Sequence, residues 1–473
     1  MQIKTGKTPV SMMVVMAIWS LSLAVDLPGL AVTPIEGKLH MLFHDVTDFK
    51  IQLLTVLPNV VIIPFVLLSG KLSETKHKIA VIITGILMYA IAGLLSVFSG
   101  SLTVLIWLSC LLGGGCGLIL PFSTGLIADV FNGSYRMKQM GIASAIGNIA
   151  LVCATFAVGF LAAKSWHLPF IVYIIPLVSL LLVPWLKKIP QSDYVDQDQD
   201  HQEVVQVKEA KAAAQMKIMA GGDVQSAGQQ NVVSDQDGFS VANQQVKGGF
   251  YVGRTIWLVL AYGFFMFSCS VPTYYLPNLM PSYHMSTEDV SIVTSVFYFF
   301  MFLIGLFVTS IMRVFKRWTF IVSVAAIIIG FIIYLTSRSL PMFIVAASLV
   351  GMGNGQTQPI FYNKATELVT HSSKSTLALA IIQAANYVGI SLVPVIINAF
   401  VAIFHNHTLI FPFYVVTALT ALVFVFVIIR NRHFVFGIHR QYYDPSMQES
   451  QTASQGAPTQ VNPAPQGPQE PNQ

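Results

Sequence analysis

Asp26 is the one carboxylate placed well inside an apolar stretch of this chain, and a carboxyl group in that setting can carry a proton or a cation through a bilayer. Counted along a first helix at a 1.5 Å rise, it sits roughly 20 Å in, within the outer half of a hydrocarbon core about 30 Å thick. A charge there costs several kcal/mol unless it meets water or a partner. Protonation removes the charge, desolvation raises the pKa, and the membrane potential contributes about 2.3 kcal/mol per charge per 100 mV. A local reading competes with this one: Pro28 removes a helix hydrogen bond, and Asp26 then serves the broken backbone.

Amides form the second group. Asn59 follows Pro58 in the second apolar stretch, Asn148 lies in the fifth, Asn354, Gln356 and Gln358 in the tenth, and Gln383 and Asn386 in the eleventh. A buried amide needs partners, on a ligand or on a neighbouring helix. Asn148 and Asn386 occupy equivalent places in an internal repeat and read as structural cross-links. Asn354, Gln356 and Gln358 face Cys116, Leu118 and Leu120 in that repeat, so they read, with Asn59 and Gln383, as ligand-facing. Aromatic residues crowd the seventh and eighth stretches, and Tyr262, Phe265 and Tyr298 are expected to line a cavity for flat or amphipathic molecules.

The repeat that organises these residues has an offset of 238. Gly113, Gly115, Gly117, Pro121, Asp129, Arg136 and Asn148 recur as Gly351, Gly353, Gly355, Pro359, Glu367, Lys374 and Asn386. Two similar halves suit a carrier that rocks them about a central site. The glycines permit either close helix packing or bending.

The 473 residues are 54% hydrophobic and 10% charged, against roughly 25% charge in ordinary soluble domains. Twelve stretches are long enough to span: 11–33, 51–70, 79–98, 102–124, 141–163, 168–187, 251–272, 290–311, 318–336, 341–361, 376–403 and 409–430. The fold class expected is an all-α membrane protein of two six-helix bundles, 1–187 and 251–430. They are joined by a largely disordered cytosolic linker, 188–250, and followed by a disordered cytosolic tail, 431–473. With the first helix starting inside, the outer loops hold only Lys38, Lys50, Lys164 and Arg338 of the 26 Lys and Arg, which places both termini in the cytoplasm.

The net charge of +5 is therefore topological, and no basic, aromatic-interleaved patch suggests nucleic acid. Cys110, Cys116, Cys153 and Cys269 fall in apolar stretches as small core residues, not as a metal site. No phosphate loop, HExxH pair or Gly-x-Ser-x-Gly elbow is present, so an enzyme is not expected. No cofactor is expected beyond a proton gradient as energy source. The expected partners are a small-molecule substrate, protons and the lipid bilayer, with the chain a monomer.

Gly70-Lys71-Leu72-Ser73-Glu74-Thr75-Lys76-His77-Lys78, between the second and third stretches, resembles the major facilitator loop pattern Gly-x-Leu-Ala-Asp-Arg-x-Gly-Arg-Arg, matching at Gly70, Leu72 and Lys78. The resemblance covers 11–430 and implies alternating access by rocking bundles, with Gly70 and Glu74 at a cytoplasmic gate and Glu74 paired with Arg136 or Lys138. Within the superfamily the chain looks most like twelve-helix bacterial drug/proton antiporters, which carry an acid in the first helix near a proline. It departs from them at Ser109, Cys110 and Leu111, where an Arg is common, and between Ala154 and Gly159, where Gly-Pro-x-x-Gly-Gly is common. The resemblance implies proton-coupled efflux of amphipathic or drug-like molecules across a bacterial cytoplasmic membrane. Uptake of a nutrient or amphipathic anion by a symporter or uniporter, with Arg254 the nearest cation, and a transporter-like sensor are the alternatives.

Overall fold

The computed structural model describes residues 2–3, 9–24, 27–29, 31–32, 48–73, 75, 77–187, 189, 246–247, 249–369 and 374–443. Asp26, Glu74, most of the central connection and the tail beyond 443 lie outside them.

Among the described residues, twelve principal helices fall within or overlap the twelve expected spans. The first half holds α1 (Met12–Ser20, running into a 3-10 turn, Leu21–Ala24), α2 (Asp48–Leu72), α3 (Lys78–Phe98), α4 (Leu102–Val130), α5 (Gly133–Lys164) and α6 (Val178–Leu186, entered through a 3-10 segment, Leu168–Leu177). The second holds α7 (Val252–Leu279), α8 (Thr287–Phe315), α9 (Thr319–Thr336), α10 (Leu340–Ala365), α11 (Ser375–Phe404) and α12 (Phe411–Ile429). Among the described residues nine segments are long and apolar enough to cross a bilayer, one of which, Glu288–Thr336, contains both α8 and α9. α10 is not among the nine because Asn354, Gln356 and Gln358 dilute its hydropathy. These amides are the price of a polar interior.

The repeated glycines are places where helix backbones nearly touch. A Cβ on Gly113 would lie 2.6 Å from the Pro58 carbonyl oxygen of α2, and one on Gly115 2.7 Å from the Tyr89 nitrogen of α3. In the second half a Cβ on Gly355 would lie 2.7 Å from the Met301 Cα of α8, and one on Gly353 2.5 Å from the Ser323 oxygen of α9. Of the two roles open to these glycines, close packing is the one they fill: α4 lies against α2 and α3 as α10 lies against α8 and α9. The same duplication governs the seam between the halves. α2 packs on α11 as α8 packs on α5, and α4 on α11 as α10 on α5, so exchanging the halves maps each contact onto its counterpart.

Two expected boundaries move. α5 begins at Gly133, not near 141, so Arg136 and Lys138 ride on its first turns and not in a loop. The stretch after α12, expected to be disordered from 431, packs as far as Tyr443: Phe436, Ile438 and Tyr442 are buried. Apolar side chains at 434, 436, 438 and 442 give it enough to bury. At the other end of the linker, Val246–Lys247 pairs with Phe250–Tyr251, and Phe250 bridges to Val369.

Candidate substrate cleft

Five helices from both halves line a narrow cleft. α1 supplies Ser22; α4 supplies Ser123 and Thr124; α5 supplies Met140, Ala143, Ser144, Gly147 and Asn148; α10 supplies Gln358 and Tyr362; α11 supplies Gln383. The lining among the described residues is hydroxyls and amides, with an apolar strip from α5.

The position of Ser22 is fixed by the way α1 ends. Its 3-10 turn leaves carbonyls without the usual helical partners, and side chains from neighbouring helices take them: Ser179 Oγ donates to the Ser20 oxygen at 2.7 Å, and Cys116 Sγ to the Ala24 oxygen at 3.3 Å. Past the turn Gly29 adopts φ +84°, and the backbones of Gly29 and Ala31 hydrogen-bond the Tyr173 hydroxyl. The chain on both sides of Asp26 is thus held, although Asp26 itself lies outside the described residues.

Hydrogen bonds across the seam form the floor of the cleft. Ser144 Oγ donates to Gln358 Oε1 at 2.6 Å, and Gln383 Nε2 donates to the Leu120 oxygen and to Thr124 Oγ1, each at 3.2 Å. Asn148 Nδ2 reaches Ser144 Oγ at 3.4 Å. Gln358, Gln383 and Asn148 therefore meet in the lining, Asn148 bonding a residue of its own helix.

The other expected residues go elsewhere. Gln356 Oε1 accepts from Ser323 of α9 at 2.8 Å, and Asn354 Nδ2 points to the Met301 sulfur of α8, so both amides face their own half. On a helix, positions 354, 356 and 358 cannot share one face. Asn59 bonds the Thr55 oxygen and meets Tyr274 of α7. Asn386 is buried with no partner for its Oδ1. Tyr262 and Phe265 do not line the cleft: they pack into an aromatic cluster with Phe320, Phe361 and Tyr362 inside the second half. Tyr298 leans on Phe297, also away from the lining. A contact within one bundle buries more ring surface than a wet cleft offers. Ser22, Ser123, Thr124, Ser144 and Tyr362 were not anticipated. The i, i+4 pair Ser144 and Asn148 was the available signal.

Beside the cleft, towards the face with the α4–α5 and α10–α11 turns, the halves are knitted together. Gly70 abuts Leu377 and Ala380 of α11, Gly125 abuts Thr376, and Gly141 abuts Gly305 and Val308 of α8. Arg136 Nε donates to Asn363 Oδ1 of the opposite half at 2.9 Å and Lys138 is exposed, while Glu74, the partner expected for one of them, lies outside the described residues. In the first half Lys78 instead pairs with Asp129 at 3.3 Å. Glu367, the repeat partner of Asp129, accepts from the Tyr442 hydroxyl at 2.9 Å. Arg254, the nearest cation for an anion carrier, stacks 4.9 Å from the Phe434 ring and is not in the cleft.

Burial pushes the Glu367 carboxyl above its ordinary pKa; Arg136, the Tyr442 hydroxyl, His439 and Lys364 oppose this. A carboxyl raised on packing contributes stability below its unfolded value, about 4.3, and loses it as pH rises through the packed value. The post-α12 segment is thus expected to hold more tightly at pH 5 than at pH 8, and Glu367→Gln, neutral throughout, to flatten that dependence. Thermal midpoints of both proteins across that range check it; an unchanged slope in the variant would remove Glu367 from the effect.

Known proteins share this arrangement. Among solved structures, the proton:xylose symporter XylE bound to 6-bromo-6-deoxy-D-glucose superposes with a TM-score of 0.63 at 15% identity, covering 88% of this chain and 94% of that one. The human organic anion transporter MFSD10 superposes with a TM-score of 0.61 at 13% identity, covering 87% and 98%. In sequence, the chain is 31% identical over 115 residues to the quinolone resistance protein NorA of Staphylococcus aureus, spanning 24% of this chain and 29% of NorA. It is 26% identical over 241 residues to the 4-hydroxybenzoate transporter PcaK of Pseudomonas aeruginosa, 49% of this chain and 50% of PcaK. The chain thus matches half or less of the length of these curated relatives. The family model of the Major Facilitator Superfamily matches residues 9–233 and 256–440, and with the twelve helices, the exchanged seam and the central cleft it establishes that this multi-pass membrane chain belongs to that superfamily of transporters.

Proposed function

We propose that this chain exports small amphipathic or drug-like organic molecules from a bacterial cell by alternating access, in exchange for protons. The observation that carries the reading is the floor of the cleft, Ser144 to Gln358 and Gln383 to Thr124, in which each tie joins opposite halves. Rocking the halves apart at that face breaks these ties and opens the cleft to that side. The match to NorA supports efflux, and Asp26, the lone carboxylate of the apolar stretches, supports protons as the coupling ion.

Everted vesicles loaded with a pH gradient test it directly. Quinolone uptake driven by the gradient is expected to fall by about tenfold or more in Asp26→Asn, as for loss of a coupling acid. Gradient-driven uptake at the wild-type rate in that variant would falsify the coupling role.

A second reading, uptake of an aromatic acid, draws on the match to PcaK over 49% of this chain. Intact cells separate the two: expression lowers quinolone accumulation under the first and raises 4-hydroxybenzoate accumulation under the second.

A further inference from the structure

We propose that Gln383 is the specificity-determining residue of the cleft and that it selects molecules presenting a hydroxyl or ammonium hydrogen-bond donor beside an apolar body. The inference rests on the reading of the cleft as the substrate site and adds the chemistry that it selects.

Gln383 is only 1% exposed, and its side chain bridges to α4 through the Leu120 oxygen and Thr124 Oγ1. Oxygen and nitrogen of an amide are ordinarily assigned from their partners. Here the Leu120 carbonyl can only accept, so the NH₂ group must face it. That leaves Oε1 as an acceptor with no donor, although it is buried. Buried acceptors are rarely left bare, and an orphan in a binding cleft calls for an explanation.

Neither Gln358 nor Ser123 donates to it. Gln358, the other glutamine of the lining, is used at both ends: Oε1 accepts from Ser144 at 2.6 Å and Nε2 donates to the Tyr362 hydroxyl at 3.3 Å. Ser123 Oγ donates to the Leu120 oxygen at 2.7 Å, the same carbonyl that receives Gln383. Gln383 Oε1 is therefore a buried acceptor left open beside a glutamine, Gln358, that is engaged at both ends. A ligand completes it with an O–H or N–H.

The opposite wall says what the rest of that ligand is like. Met140, Ala143 and Gly147, on one stripe of α5, give a smooth apolar surface with a polarizable thioether. A molecule with a flat apolar body and one donor at its end satisfies both walls. A phenol and a secondary ammonium share that chemistry.

Ligand binding and gating also meet at this residue. Its NH₂ ties α11 to α4 while its oxygen is left without a donor, so a bound donor holds the amide in the orientation that keeps the tie.

The test compares probes that differ only in the donor. A cysteine placed by Ala143→Cys, in the lining but outside the hydrogen-bonded floor, in a protein whose four native cysteines are replaced, reports occupancy through protection from alkylation. The first pair is 4-hydroxybenzoate and 4-methoxybenzoate; the second is a quinolone bearing a secondary ammonium and its quaternary dimethyl analogue, which separates hydroxyl from ammonium as the preferred source. With Gln383 present, the donor-bearing member of at least one pair is expected to protect at about tenfold lower concentration, the worth of one hydrogen bond to a neutral group. In Gln383→Met that preference is expected to collapse to about one, whatever happens to overall transport, because the ratio cancels effects on folding and gating. Should Gln383→Met not accumulate in membranes, Gln383→Glu keeps the size and is expected to strengthen the preference.

If no probe protects the cysteine in the protein carrying Gln383, the cleft is not the substrate site and the proposal falls with the reading beneath it. If probes protect but without preference for the donor, or the preference survives in Gln383→Met or stays unchanged in Gln383→Glu, the role of Gln383 alone is overturned.

Discussion

Gly141→Leu is expected to lower transport by roughly a hundredfold while leaving the protein folded in the membrane. A Cβ at this position would lie 2.5 Å from the Gly305 oxygen and 2.6 Å from Val308 Cγ1, both on α8 of the other half. The nearest atoms a Cβ would meet thus belong to α8, so α5 keeps its place in its bundle and only the approach of the bundles is obstructed. Overpacking of this kind costs about 1–3 kcal/mol. Applied to a closure balanced within a few kcal/mol, it shifts the populations by up to about two orders of magnitude. Gly70, the glycine of the sequence pattern between the second and third stretches, abuts Ala380 at the matching seam of α2 with α11, so Gly70→Leu is expected to act the same way. Alkylation of an Ala143→Cys reporter, outside the ties of the floor, distinguishes blocked closure from unfolding, because labelling should rise while the amount of protein stays constant. Transport within twofold of the parent protein would show that the seam tolerates the added bulk and does not have to close this tightly.

The contrast between these glycines and the aromatic residues shows what a sequence can reveal here. Gly113, Gly115 and Gly117 carry a signal that repeats because a backbone contact admits no other residue, and each contact recurs in the duplicated half. Helix positions were legible for a similar reason: the bilayer imposes a length and a polarity on each segment separately. Aromatic residues obey no such local rule. α7 is apolar on several faces, and nothing in its sequence says which face meets the cleft, so Tyr262 and Phe265 were placed there although they fill the second bundle. The same limit held for Arg136, whose partner Asn363 is 227 positions away and belongs to the other half. Gln358 and Gln383, which the structure brings to one cleft, stand out in the sequence because amides are conspicuous in apolar helices; the serines and threonine beside them are tolerated anywhere in such helices and gave no warning.

Lys364→Met is expected to release the segment after α12 and to weaken the closed face with it. The Lys364 ammonium is fully buried at the end of α10, and it donates to the carbonyl oxygens of Phe434, Val435 (3.0 Å) and Gly437. Three donors meet three acceptors, which is the full capacity of an ammonium. Methionine preserves the length and the apolar stem but orphans the carbonyls, at about 1–3 kcal/mol for each one that cannot find water. Loss of the whole arrangement then approaches the roughly 3–5 kcal/mol seen when one side of a buried charged contact is removed. Lys364→Arg is not expected to rescue, because a planar guanidinium cannot aim three N–H groups at carbonyls that converge on one point. The consequence reaches the seam because Ile438 and Tyr442 pack in one cluster with Met137 of α5, Val308 and Met312 of α8 and Ile360 of α10. Detaching the segment therefore removes contacts from both halves at once. Limited proteolysis should cut within 431–443 in Lys364→Met and not in the parent, with a thermal midpoint lower by several degrees; equal cleavage and an equal midpoint would mean that the aromatic contacts of Phe434 and Phe436 hold the segment without the charge.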